Sequence, residues 1–184
     1  MTRNSGRGRR RALLGAALLA LPLAACSDVL EVDDVDVVSE EVLDDPEQLP
    51  LLHATAIANF SRGYSASLGE AGQQVIVSGI FTDEFFHNTN VGPDRRFLDR
   101  RAVTPSNFHV VNLYENLHRA RVAAERAAEA FATHDPGTVQ HAEVQNLAGF
   151  VYLFFAETYC SGVPFTEVDD GGALIYGAAE SRTQ

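Results

Sequence analysis

The stretch AEVQNLAGFVYLFFAETYCSGVPF, residues 142–165, decides how this chain is read. It opens polar, runs apolar from Leu147 to Ala156, and closes on Gly162-Val163-Pro164-Phe165. Aromatic and aliphatic residues occupy every face of the turns between Leu147 and Ala156. That pattern predicts a helix buried on nearly all sides. Ten apolar residues cover about 15 Å as a helix, roughly half a bilayer core, so the run is not a membrane span. Gly162 followed by Pro164 reads as the helix stop, because glycine accepts a left-handed cap and proline cannot continue the turn.

A helix this apolar needs partners, and the preceding chain offers them. Val110, Leu113, Leu117, Ala120, Ala124, Ala127 and Phe131 step by three and four, giving one stripe along a helix over 108–131. Glu115–Arg119 is a favourable i,i+4 pair on it, and Arg121–Glu125 is the same pair in the weaker order. Asp135-Pro136-Gly137 ends that helix and Thr138 caps the next, so the two form an αα-hairpin. Further upstream, Asp44-Asp45-Pro46 starts a helix carrying Leu49, Leu52, Ala56, Ile57 and Phe60 at helical spacing. Residues 71–86 read as another helix, with Val75, Ile76, Gly79, Ile80, Phe85 and Phe86 mostly on one side. Asn88–Pro93 reads as a turn-rich loop, and the apolar piece Ala173–Tyr176 has no assigned structure. The fold class expected is all-α.

The pattern AExxxLxxFxYxxxAExxxxGVPF resembles the signature helix of the SusD/RagB outer-membrane nutrient-binding lipoproteins. The matching residues are Ala142, Glu143, Leu147, Ala148, Phe150, Tyr152, Ala156, Glu157, Tyr159, Gly162, Val163 and Pro164. The chain departs from the pattern at Gln145 and Asn146, where the family often has an arginine. The resemblance implies helical hairpins of tetratricopeptide-like type behind an extended acidic leader. One such unit is visible, with no 34-residue repeat. The family continues well past the length of this chain, so residues 45–184 are expected to be its N-terminal helical region, truncated. A solitary fragment would leave one side of the apolar helix uncovered.

The N-terminus supports the same reading. Five arginines precede an apolar run from Ala12 to Ala25, which is a secretory signal over residues 1–25. Leu23-Ala24-Ala25-Cys26 matches the bacterial lipobox, in which the cysteine is acylated and the peptide cut before it. Two or three acyl chains anchor stably where one is marginal. The alternative is an ordinary signal peptide with a chance cysteine. Arg10-Arg11-Ala12-Leu13-Leu14 also resembles a twin-arginine export motif. Residues 26–44 form an acidic leader; residues 27–48 hold ten carboxylates and no basic residue. The leader is either a solvated linker or a short extended piece whose valines pack on the body. Asp28 and Glu31 resemble the surface-export signal of SusD-like lipoproteins.

After cleavage, nine arginines face twenty-five carboxylates, a net charge of −16 with histidine neutral and no lysine anywhere. That excludes a nucleic-acid binder, which needs a basic face, and a polybasic membrane patch. With Cys26 acylated, Cys160 has no partner for a disulfide and is expected to be a small packed hydrophobe.

Three chemistries are conceivable from the residue types present. Asp83, Glu84, His87, Asn88, Arg95 and Arg96 put planar polar groups and aromatic faces in one loop-bordered patch, the kind of surface that recognises a saccharide. The alternative is that Asp83 and Glu84 pair with the arginines as a helix-end salt network, and the absence of tryptophan weakens a sugar platform. Glu84-x-x-His87 has the i,i+3 spacing of bundle metal ligands, but the further ligands such a site needs are missing, so no metal is expected. The sequence holds no Gly-x-Ser-x-Gly, His-Glu-x-x-His or glycine-rich phosphate loop, so neither catalysis nor a cofactor is expected.

The resemblance then implies a surface-exposed lipoprotein of the outer membrane. It would bind a nutrient, a glycan or an oligopeptide, and deliver it to a TonB-dependent transporter of the SusC type. The competing reading is a helical-repeat envelope lipoprotein that scaffolds other proteins.

Overall fold

The computed structural model describes residues 44–65, 72–88, 92–159, 161–168 and 174–181. All of them belong to the unit Glu40–Gln184. The expected secretory signal, lipobox at Cys26 and acidic leader before Asp44, and Cys160, lie outside the described residues.

Five helices carry the described structure: α1 (Leu49–Tyr64), α2 (Gln74–Phe81), α3 (Pro93–Asp99), α4 (Phe108–His134) and α5 (Val139–Thr158). Four short strands follow: β1 (Ser161–Pro164), β2 (Glu167–Val168), β3 (Leu174–Ile175) and β4 (Ala179–Ser181). β1 pairs antiparallel with β4, and β2 with β3. The described chain is therefore mostly helical with two small ribbons after the last helix.

Local chemistry sets the helix starts. Asp45 accepts a hydrogen bond from the Glu47 amide at 2.9 Å, opening a 3-10 turn at Pro46–Gln48 that runs into α1. Asn107 caps α4 by accepting from the amides of His109 and Val110 at 3.1 and 3.3 Å. Its side-chain amide donates to the Asp94 carbonyl at 2.9 Å, which ties α3 to the start of α4. Between α4 and α5, Gly137 takes φ +79°, and Thr138 accepts from the His141 amide at 3.3 Å. The expected hairpin and its cap are thus in place.

Helix α4 is the hub. The stripe expected from its spacing is sealed at Leu113, Leu117, Ala120, Ala124, Ala127 and Phe131, with Val110 half-buried. α1 and α5 both pack on it and also on each other. Pairs that climb both chains together, His53–Glu143, Phe60–Phe150 and Tyr64–Phe154, show that α1 and α5 run parallel. The core divides in two. An aromatic half gathers Val77, Ile80, Leu98, Leu113, Leu117, Ala120, Val151, Phe155 and Val163, with Tyr114, Phe154, Tyr159 and Phe165 packed on it. A narrower half near the hairpin turn holds Leu52, Ala56, Ala124, Ala127, Phe131 and Val144.

Several expectations are corrected. α5 is not buried on nearly all sides: it seals only Val144, Val151 and Phe155. Phe150, although beside Phe60 of α1, is 52% exposed and Leu153 47%, because α1 and α4 together leave part of α5 uncovered. Phe154 is half-buried, against Phe60 and Tyr64. α5 stops at Thr158, and Gly162, at φ +81°, sits inside β1 rather than capping the helix. The helix expected over 71–86 runs only from Gln74 to Phe81, because the Phe85 amide turns back to the Gly79 carbonyl at 2.8 Å. The arginine-rich stretch after Pro93 is a helix, α3, anchored by the buried Leu98. Leu174–Ile175, left without assigned structure, is β3.

The reversed pair Arg121–Glu125, expected to be the weaker one, is the buried one. Arg121 is 3% exposed and donates to Glu125 Oε2 and to the Thr166 carbonyl, each at 2.7 Å. The Tyr152 hydroxyl closes the network on Glu125. Glu115–Arg119 is exposed on both partners at 3.8 Å. Partners outside the helix, not sequence order within it, decide which pair matters here.

Candidate functional site

The six residues singled out in the sequence lie on or between α2 and α3, where short segments cross the start of α4. After α2 the chain leaves helical geometry, and Asp83 adopts φ +67°. Arg101, just past α3, adopts φ +53°, and its guanidinium pairs with the Asp83 carboxylate. Two side-chain-bearing residues in the left-handed region, joined to each other, are uncommon and cost of order 1 kcal/mol or more each. Asp83 thus has an ion-pair partner, as the helix-end alternative foresaw, but the partner is Arg101 and not Arg95 or Arg96.

The remaining residues divide. The His87 amide donates to Asp99 Oδ1 at 3.2 Å, which holds the 82–88 segment to the end of α3. Glu84 and Asn88 are exposed. Arg95 and Arg96 are half-buried on α3, and Arg95 Nε is buried with no hydrogen-bond partner among the described residues. His109 is buried where these groups meet. Burial holds its pKa below the usual range, Arg95 and His87 push the same way, and Asp94 opposes them. The structure therefore gathers His87 and Arg95 around His109, and Asp83 with Arg101, as two adjoining clusters.

Segment 82–88 is not helical, so Glu84 and His87 lose the one-face i,i+3 geometry that a bundle metal site requires. No group of three His, Cys, Asp or Glu side chains among the described residues could hold a metal ion. No described helix is long and apolar enough to cross a membrane.

Exposed aromatics rim the clusters. Phe86 is 76% exposed, and Phe81, Phe85, Phe97 and Phe108 also present large areas to solvent. Phe85 lies so close over Gly79 that an added Cβ would meet its ring at 2.4 Å. The arrangement offers carboxylate, guanidinium and amide groups beside aromatic faces, which suits hydroxyl-rich or peptide ligands. Sequence reasoning missed Arg101, Asp99, Asn107 and His109. Asn107 carried a signal, since asparagine directly before an apolar-periodic run is a preferred helix cap. Arg101 carried none, because its role depends on a turn that brings two segments together.

Comparison with protein-family models, with characterised proteins and with solved structures returns no match.

Proposed function

We propose that the chain is the N-terminal helical region of a SusD/RagB-type surface lipoprotein. It binds a glycan or oligopeptide nutrient and hands it to a SusC-like TonB-dependent transporter in the outer membrane, without catalysis or a cofactor. The observation that carries this reading is the signature from Ala142 to Pro164 standing behind a lipobox at Cys26 and an acidic leader. The α4–α5 hairpin is compatible with a tetratricopeptide-like unit. The patch around Asp83, Glu84, His87, Asn88, Arg95 and Arg96, with Phe86 and Phe97 beside it, is the proposed ligand surface. Thermal unfolding of the mature protein across a panel of saccharides and oligopeptides tests it. A ligand-dependent rise that Arg101→Ala or Phe86→Ala removes supports the reading; no rise with any ligand overturns it. Anchoring is tested separately: a Cys26→Ala variant should leave the membrane fraction on carbonate washing, and retention there contradicts acylation.

A second reading, an envelope scaffold, is favoured by the open face formed by Ile57, Tyr64, Phe150 and Leu153. Affinity purification from the native envelope separates the two. Recovery of a TonB-dependent barrel supports uptake, and recovery of other envelope proteins without it supports the scaffold.

A further inference from the structure

The tail that follows α5 is held by a cluster that the proposed ligand surface does not use. His118 on α4 sits in a box of rings: Tyr114 at 4.4 Å and Phe155 at 4.6 Å between centroids, and Phe165 at 5.9 Å. Its Nε2 is buried with no hydrogen-bond partner among the described residues. Phe165 is the tail's contribution. It also packs on Tyr152 and Phe155, and the Arg121 guanidinium lies 5.4 Å from its ring centroid. Arg121 holds the next residue through the Thr166 carbonyl. Behind Phe165, the chain at Gly177 approaches so closely that an added Cβ would stand 2.0 Å from the Phe165 carbonyl oxygen. β1 and β4 pair on either side of this point. Phe165 and Thr166, together with the buried Val163 of β1, therefore fix the ribbon onto the hairpin.

We propose that His118 is a proton-sensitive latch: protonating it places a second cation beside Arg121 inside the ring box and releases Phe165, Thr166 and the β1–β4 ribbon from α4. The groups around the imidazole leave the new charge without a counter-ion. On α4 it faces Arg121 and the Tyr114 phenol. Glu125, the nearby carboxylate, is already engaged by Arg121 and Tyr152. α5 presents Phe155, with the phenols of Tyr152 and Tyr159 beyond. The tail presents the Phe165 ring and the Thr166 carbonyl, and the next carboxylate, Glu167, is exposed. The nearest rings cross the imidazole plane at 66° and 49°, and no aromatic contact supplies the full negative charge of a carboxylate counter-ion. Burial, and then Arg121, hold the imidazole down to about 4, so the closed latch resists the proton that an open one accepts. Acid thus favours the open form.

Hydrogen exchange read by mass spectrometry on the mature protein tests this. Between about pH 7 and about pH 4.5, exchange over residues 163–167, corrected for intrinsic chemistry, should accelerate at least ~10-fold while α4 stays protected. His118→Phe should remain slow at both pH values. Gly177→Ala, which forces a Cβ into the Phe165 backbone, should be fast at both. In the native protein exchange should begin to rise below about pH 6.5, where the open form takes up the proton, and flatten where the closed His118 ring titrates by NMR, a measurement that stands even if a variant does not fold. Equal acceleration in His118→Phe, acceleration of α4 together with the tail, or no rise in exchange between about pH 6.5 and the pH at which the closed His118 ring titrates each overturns the latch.

Discussion

Helices α4 and α5 lie side by side, yet they divide burial in the opposite way to their composition. α4 alternates arginine, glutamate and alanine with its apolar stripe and buries nine of its 27 residues. α5 is richer in large apolar side chains and buries three of 20. What decides burial is where the apolar residues fall relative to available partners, not how many there are. The small residues Ala120, Ala124 and Ala127 let α1 and α5 approach α4 closely. α5 gives Val144, Val151 and Phe155 to that contact and turns Phe150 and Leu153 outward.

The sharpest way to break this contrast is truncation on the two helices. Leu117→Ala on α4 should cost about 3 kcal/mol, the range for a fully buried leucine, while Phe150→Ala on α5 should cost about 1 kcal/mol or less. Chemical denaturation with both variants checks it, and comparable losses would contradict the assignment of α4 as hub. Next in size is the contrast between the two ion pairs on α4. Arg121→Met strands the Glu125 carboxylate and the Thr166 carbonyl and should cost about 2–3 kcal/mol. Arg119→Met removes an exposed pair and should stay within about 0.5 kcal/mol in the same assay.

A smaller effect is expected from pH. His118 is held near 4 when folded and titrates in the usual range near 6.5 when unfolded. Its folded pKa is depressed, so the unfolded chain takes up the proton first. Stability is unaffected above about pH 6.5, falls between there and about pH 4, and levels off below. The loss should be on the order of 1–2 kcal/mol, allowing for the ring's partial solvation. His109 is shifted the same way and adds to the fall. Melting temperature against pH, compared with His118→Phe, isolates the share of His118. Smallest is the cap: Asn107→Ala should lower stability by about 1 kcal/mol, read by denaturation, since two amides lose their acceptor.

The hairpin was legible in the sequence because its signals are local. Spacing gave the α4 stripe, and Asp45, Pro136-Gly137 and Thr138 marked helix ends through short-range hydrogen bonds. α3 was not legible, because seven residues hold too little periodicity to separate a helix from an arginine-rich loop. An uncovered side of α5 was expected, but not which side, because ten consecutive apolar residues do not say which of them finds a partner. In the candidate site, the residue types around Asp83 and His87 could be read, but the pairing of Asp83 with Arg101 could not. That pairing rests on two backbone turns far apart in the chain, and only the fold brings them together.

Photochemical carbene footprinting of the mature protein, read residue by residue, tests the division of labour between the two helices most directly. Phe150 and Leu153 should label heavily while Val151, Phe155 and Leu117 stay protected. Protection of Phe150 and Leu153 equal to that of Val151 would contradict an α5 that opens one face to water.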